Sequence, residues 1–203
     1  MLQIRTITPD TLELLKRLQS IPELTDTRLV GGTALAFHLG HRLSIDLDLF
    51  GKFDHETITE TLKSEAFDDF YVLSESKVIK RYLINQVKVD IVKYDRYQWL
   101  EEAVIDNQIR IAGLKDIAAM KIAAITNRGT KKDFVDLFFL LQTFNIKEII
   151  EFYQVKYFDA NLFTVMLSLV YFDDAEKEDM PKMLIPTAWK DVKTRITAEI
   201  KTL

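Results

Sequence analysis

The stretch LVGGTALAFHLGHRLSIDLDLF, residues 29–50, decides the reading of this chain. It opens on two glycines, Gly31-Gly32, passes through Thr33 into a short apolar segment, and closes that segment at Gly40, where a helix-ending glycine belongs. From Leu43 to Phe50 the pattern alternates. Leu43, Ile45, Leu47 and Leu49 fall on one face and Ser44, Asp46 and Asp48 on the other, which predicts a half-buried strand with a polar working face. Same-face neighbours on a strand stand about 6.5–7 Å apart. Two carboxylates so placed repel each other, and burying them is costly unless something positive lies between them.

Upstream, Thr8-Pro9 has the form of an N-cap followed by proline at the first helical position. It predicts a helix to Ser20 with Leu12, Leu15 and Leu18 inward, and a short strand follows at Arg28–Val30. Downstream, Asp54 caps a helix through Ala66, and 70–73 and 78–84 read as strands. Asn85-Gln86 is a hairpin turn into an alternating run over 87–94, where Val87, Val89 and Ile91 oppose Lys88, Asp90 and Val92. A short helix over 98–102 and a short strand over 109–112 complete this portion. From Leu114 the period is helical, with helices over 116–127, 131–144, 147–156, 161–172 and 187–201 and an acidic loop over 173–179. The fold class expected is α+β. A small mixed sheet with flanking helices occupies residues 1–112, and a helical bundle over 113–203 completes the site.

The 203 residues suffice for a substantial core, and 48% hydrophobic with 29% charged residues is ordinary globular composition. Six glycines and four prolines argue against long linkers. The absence of cysteine removes disulfides, thiolate catalysis and cysteine-ligated zinc. No apolar run reaches membrane-spanning length and the first residues lack a signal-peptide core, so a cytoplasmic protein without a membrane partner is expected. A net charge of −4 speaks against a basic coat for nucleic acid while leaving room for a local patch. The histidines lack zinc spacing, and no Ser-His-Asp set can be assembled.

A divalent cation is the natural partner for Asp46 and Asp48, with Asp90 on a neighbouring strand as the third carboxylate. Magnesium takes hard oxygen ligands and commonly completes its shell with substrate phosphates, and manganese can substitute. The glycine turn lets backbone approach a ligand closely, and the helix that follows aims free N–H groups at it. A phosphate is the guest such a turn suits, with Thr33 and Ser44 as hydroxyl donors and Arg42 as a cation.

This order of elements resembles the DNA polymerase beta-like nucleotidyltransferases. Their pattern is a glycine turn, a short helix, D-x-D on a strand and a later aspartate, here Gly31-Gly32-Thr33, Asp46-Leu47-Asp48 and Asp90. The run Arg42-Leu43-Ser44-Ile45-Asp46-Leu47-Asp48 is similar to the R-x-S-x-D-x-D of one branch, the AbiEii/AbiGii toxin-type nucleotidyltransferases. DIAAMKIAAITNRGTKKDFVDLFFLL, residues 116–141, resembles that branch's lysine, later arginine and D-x-x-D. The resemblance implies that Lys121 contacts nucleotide phosphates, with Arg128 beside it. It implies that Asp133 or Asp136 acts in catalysis or orients Lys121 and Arg128. It also implies a two-metal site on Asp46, Asp48 and Asp90, a nucleoside triphosphate as substrate, a tRNA or protein hydroxyl as acceptor, and a cognate antitoxin. A small-molecule nucleotidyltransferase of the antibiotic-modifying type and a non-catalytic nucleotide-binding module are the alternatives. Residue by residue, plainer readings stand beside these. Thr130-x-x-Asp133 has capping-box spacing, Asp136 can pair with Lys132, and Lys121 can lie over apolar surface.

Overall fold

A computed structural model describes residues 2–203. Its centre is one seven-stranded mixed sheet in the order β3-β4-β5-β2-β1-β7-β6. The strands are β1 (Arg28–Val30), β2 (Leu47–Gly51), β3 (Phe70–Glu75), β4 (Ile79–Ile84), β5 (Val87–Lys93), β6 (Val104–Asp106) and β7 (Ile109–Ile111). β2 runs parallel to β5 and β1 parallel to β7, and the other neighbours are antiparallel.

The helices α1 (Pro9–Ser20), α2 (Gly31–Leu39) and α3 (Ile58–Ser64) are interspersed with the first strands. α4 (Leu114–Asn127), α5 (Lys131–Leu140), α6 (Ile146–Lys156), α7 (Leu162–Leu169), α8 (Asp173–Glu176) and α9 (Trp189–Ile200) follow the sheet. Thr8 caps α1 by accepting from Thr11 N, with Pro9 opening the helix. Gly40 ends α2 in the left-handed conformation at φ 65°. α4 is the central helix, packed against α2, α5, α6 and α7. One continuous apolar core runs from Leu14 and Leu18 of α1 through Leu47, Leu49, Val89 and Ile91 of the sheet to Ile122, Phe134, Val165 and Ile196. Each of these large side chains contributes roughly 1.5–3 kcal/mol by leaving water.

The polar strand begins later than the alternation predicts. Residues 43–46 are not in the sheet, and Ile45 is 64% exposed. Their backbone groups find other partners. Leu43 N donates to Lys182 O, Ser44 N donates to Thr6 O, and Arg42 bridges to Met183. Residues 98–102 form no helix, because Leu100 N and Glu101 N both donate to the buried Asp116 carboxylate. A second hairpin, β6–β7, turns at Asn107-Gln108 with positive φ at both residues, as Asn85-Gln86 does between β4 and β5. The acidic stretch contains a one-turn helix, α8, rather than loop alone.

Candidate active site

The register of the sheet places the acidic residues. Val30 at the end of β1 faces Asp48 of β2, and Asp48 lies directly beside Asp90 on parallel β5. Adjacent strands are about 4.8 Å apart, so these two carboxylates are lateral neighbours. Asp46 sits just before β2, and all three carboxylates line one cavity of about 90 Å³. Gly32, Thr33, Arg42, Ser44, Lys88, Lys121, Arg128 and Lys132 form its remaining walls.

Both glycines are there for close approach. Gly31 takes φ +70°, and a Cβ on it would collide with Asp48 Oδ2. A Cβ on Gly32 would collide with Arg42 Nη2. The amino-terminal end of α2 therefore lies against the Asp48 carboxylate on one side and the Arg42 guanidinium on the other. Thr33 is 1% exposed, and its hydroxyl donates to the Asp46 carbonyl and meets the Ser44 hydroxyl at 2.8 Å, tying α2 to the chain that leads into β2.

The three carboxylates differ in their surroundings. Neither Asp46 nor Asp48 carries an ion pair among the described residues. Burial, then the charges of Asp90 and Asp46, raise Asp48 from 3.8 to about 6, with Lys121 and Lys88 opposing. Asp90 Oδ2 accepts from Arg81 Nε at 3.2 Å and Oδ1 lies 3.6 Å from Lys88 Nζ, yet Oδ1 is buried without a hydrogen-bond partner. Like charges crowded together with a carboxylate oxygen left over are the surroundings a divalent cation relieves. Among the described residues no three acidic or histidine side chains close into a metal cage. An open set of one or two carboxylates is what magnesium uses when substrate phosphates supply the rest.

On the helical side a second set of charges is buried and fully paired. Asp133 is inaccessible. It accepts from Lys121 Nζ at 3.1 Å, from Arg128 Nε at 2.9 Å and from the Thr130 hydroxyl at 2.6 Å. Asp136, equally inaccessible, accepts both arms of Arg42 at 2.7 and 2.8 Å, sits 2.7 Å from Lys121 Nζ and meets His41 Nε2 at 2.8 Å. Burial disfavours both carboxylates, but the surrounding cations outweigh it and hold each below the ordinary range. Burial likewise opposes the Lys121 charge, and Asp136 and Asp133 overcome it, so its ammonium is stabilised. Thr130 makes no cap bond through its side chain, and Asp136 pairs across the fold rather than with Lys132. Arg128 lies at the carboxyl end of α4 with its side chain more than half exposed, and it joins Lys121 through shared Asp133.

The cavities and the paired network between them hold the candidates read from the sequence, and the structure adds two buried residues that the sequence pattern does not mark, one inside the network and one outside it. One is His41, which has no local signal beyond standing next to Arg42. The other is Lys156, which is buried and pairs with Asp116 at 2.6 Å, fixing α6 to α4. Tyr157, the next residue, lines a second cavity of about 370 Å³ that opens beside Asp48, Lys121 and Arg128. Its apolar walls include Val30, Phe50, Ile79, Met120 and Ala124.

Residues 13–202 match the family described as the nucleotidyl transferase AbiEii toxin of a type IV toxin-antitoxin system. The chain belongs to that family. An uncharacterized protein of Aquifex aeolicus is 33% identical over 98% of both chains. Among solved structures, JHP933 from Helicobacter pylori superposes with TM-score 0.61 at 18% identity, over 97% of this chain and 92% of its own. MenT4, a nucleotidyltransferase toxin of Mycobacterium tuberculosis, gives 0.53 at 18% identity, over 95% and 85%. These likenesses establish the shared fold, and the family match makes this AbiEii-type chain a nucleotidyltransferase. No helix among the described residues is long and apolar enough to cross a membrane.

Proposed function

We propose that this protein transfers a nucleoside monophosphate from a nucleoside triphosphate to an acceptor hydroxyl, as a toxin of a toxin-antitoxin pair. The observation that carries the reading is the in-register pair Asp48 and Asp90 at the mouth of the Gly31-Gly32 turn, across the cavity from Lys121 and Arg128. Asp46, Asp48 and Asp90 are the residues that would hold magnesium or manganese. Bound there, a divalent ion supplies charge neutralisation for the triphosphate and the leaving pyrophosphate.

The chain's own groups do the positioning. The N–H groups at the start of α2 and the cations Lys121, Arg128, Lys88 and Lys132 surround the small polar cavity, which suits the phosphates. The adjoining apolar cavity suits the nucleoside. The acceptor oxygen attacks the α-phosphorus, the bond from that phosphorus to the bridging oxygen of the β-phosphate breaks, and pyrophosphate leaves. Asp90 Oδ1, free of a protein donor, is placed to take the hydroxyl proton. Asp136 acts behind the site by fixing Lys121 and Arg42, and Arg42 in the cavity wall braces the glycine turn.

A tRNA or protein hydroxyl is the acceptor class this reading favours, with a cognate antitoxin as partner and the cytoplasm as its place of action. Incubating the protein with each α-labelled nucleoside triphosphate, magnesium and cell extract tests it. Label should enter RNA or protein with the intact chain and be lost in an Asp46→Asn/Asp48→Asn double variant. Label in a small molecule would redirect the acceptor assignment. Absence of label with every nucleotide, from folded protein, would refute transfer.

A further inference from the structure

His41 lies outside both cavities, is inaccessible to solvent and has no role in the chemistry above. Its Nε2 is 2.8 Å from Asp136 Oδ1, while its Nδ1 is buried with no partner. Asp136 is held ionised by the cations around it, so the shared hydrogen belongs to the imidazole and Nδ1 is the bare nitrogen. A ring kept only for packing gains nothing from an unpartnered buried nitrogen, and an aliphatic side chain would avoid that cost. The ring also packs on Phe139 at 4.8 Å between centroids, tilted by 43°, which restrains its plane. The His41 backbone is anchored separately, because its carbonyl accepts from Leu184 N and Ile185 N.

Lys121 has three N–H groups. Asp133 and Asp136 occupy two, and the side chain lines both cavities. Whatever draws charge from Asp136 loosens its hold on that ammonium. Arg42 does so through two bonds, and His41 supplies a further one on Oδ1.

We propose that His41 is a positioning residue for the nucleotide: its Nε2–H takes up charge of Asp136 and so keeps the Lys121 ammonium available to phosphate. This rests on the transferase reading of the site.

Calorimetric binding of inorganic tripolyphosphate and of a non-hydrolysable nucleoside triphosphate, both with magnesium, tests it. His41→Leu should weaken both by about 10-fold, the scale of a lost hydrogen bond to a charged group. His41→Gln, whose amide nitrogen can replace Nε2, should restore binding to within about 3-fold of wild type on the same basis. In a Lys121→Met background His41→Leu should have no further effect, because the route through Lys121 is already gone. Wild-type binding with unchanged affinity in His41→Leu overturns the proposal and leaves the transferase reading standing, as does full additivity with Lys121→Met. No binding of either triphosphate by wild type removes both. Nitrogen NMR of the wild-type imidazole gives an answer that needs no variant. A neutral ring protonated at Nε2 is expected, and an imidazolium or an Nδ1–H ring overturns the proposal.

Discussion

Replacing Asp48 by asparagine should stabilise the ion-free protein at neutral pH, against the usual effect of altering a half-buried residue. Asp48 is raised from 3.8 to about 6 by burial and by its two carboxylate neighbours. A carboxyl whose folded value lies above its unfolded one holds its proton more tightly in the folded state. Below 3.8 both states are protonated and nothing is lost. Between 3.8 and about 6 the unfolded chain ionises first, so stability falls as pH rises. Above that window the loss is constant. A displacement of about 2 units at ~1.4 kcal/mol each gives roughly 3 kcal/mol. In a domain of this size that is roughly 6–12 °C in melting temperature. A side-chain amide at this position carries no charge, so the Asp48→Asn variant escapes the loss. Melting both proteins from pH 4 to pH 8 in chelator should show the variant ahead at pH 8 and the two converging near pH 4. Magnesium should then raise the wild type more than the variant, since binding to the folded state alone adds stability. A variant equal to or below wild type at pH 8 in chelator would refute the claim that these carboxylates are crowded without a partner.

Arg42→Lys should cost about 2–4 kcal/mol in urea unfolding, because an ammonium cannot span both oxygens of buried Asp136. Gly32→Ala should leave the protein folded but lower transfer at least about 10-fold, as the new methyl displaces the Arg42 guanidinium; unchanged turnover would show that the close approach is dispensable. Lys156→Met should destabilise by about 3–5 kcal/mol, since it strands a buried carboxylate at Asp116. Adding Asp116→Asn should recover part of that loss in the same melt.

How much of the molecule is legible in its sequence follows from the range of each interaction. The strand Arg28–Val30, the helix from Thr8-Pro9, the stop at Gly40 and the hairpin at Asn85-Gln86 are set by neighbours in sequence, and local pattern reads them. The second Asn-Gln turn at 107–108 carries the same signal, but the three-residue strands flanking it are too short to show alternation. Residues 43–46 mislead for the opposite reason. Their alternation is perfect, yet Lys182 and Thr6 claim their backbone donors, and neither residue is close in sequence. The carboxylates of the site stand out because nothing local explains them. His41 and Lys156 do not stand out, because each is explained only by a partner far along the chain, Asp136 and Asp116.

That asymmetry bears on how the site works. The acidic groups proposed to meet substrate are crowded together, half-buried and poor in partners, so they are ready to bind something from outside. The acidic groups of the helical side, Asp133 and Asp136, are saturated with donors and closed to solvent. Lys121 belongs to both sets, as Arg42 and Arg128 do, and of these three it alone pairs with both Asp133 and Asp136. It is paired to the saturated carboxylates and lines the cavity of the unsaturated ones. Rigidity on the helical side therefore sets where a positive charge stands opposite the sheet, and the unrelieved repulsion among Asp46, Asp48 and Asp90 sets what that space will accept. A ligand carrying cations of its own together with phosphate oxygens satisfies both halves at once. Neither a bare anion nor a bare cation does so, which is the electrostatic basis for reading the cleft as a seat for a metal-bound triphosphate.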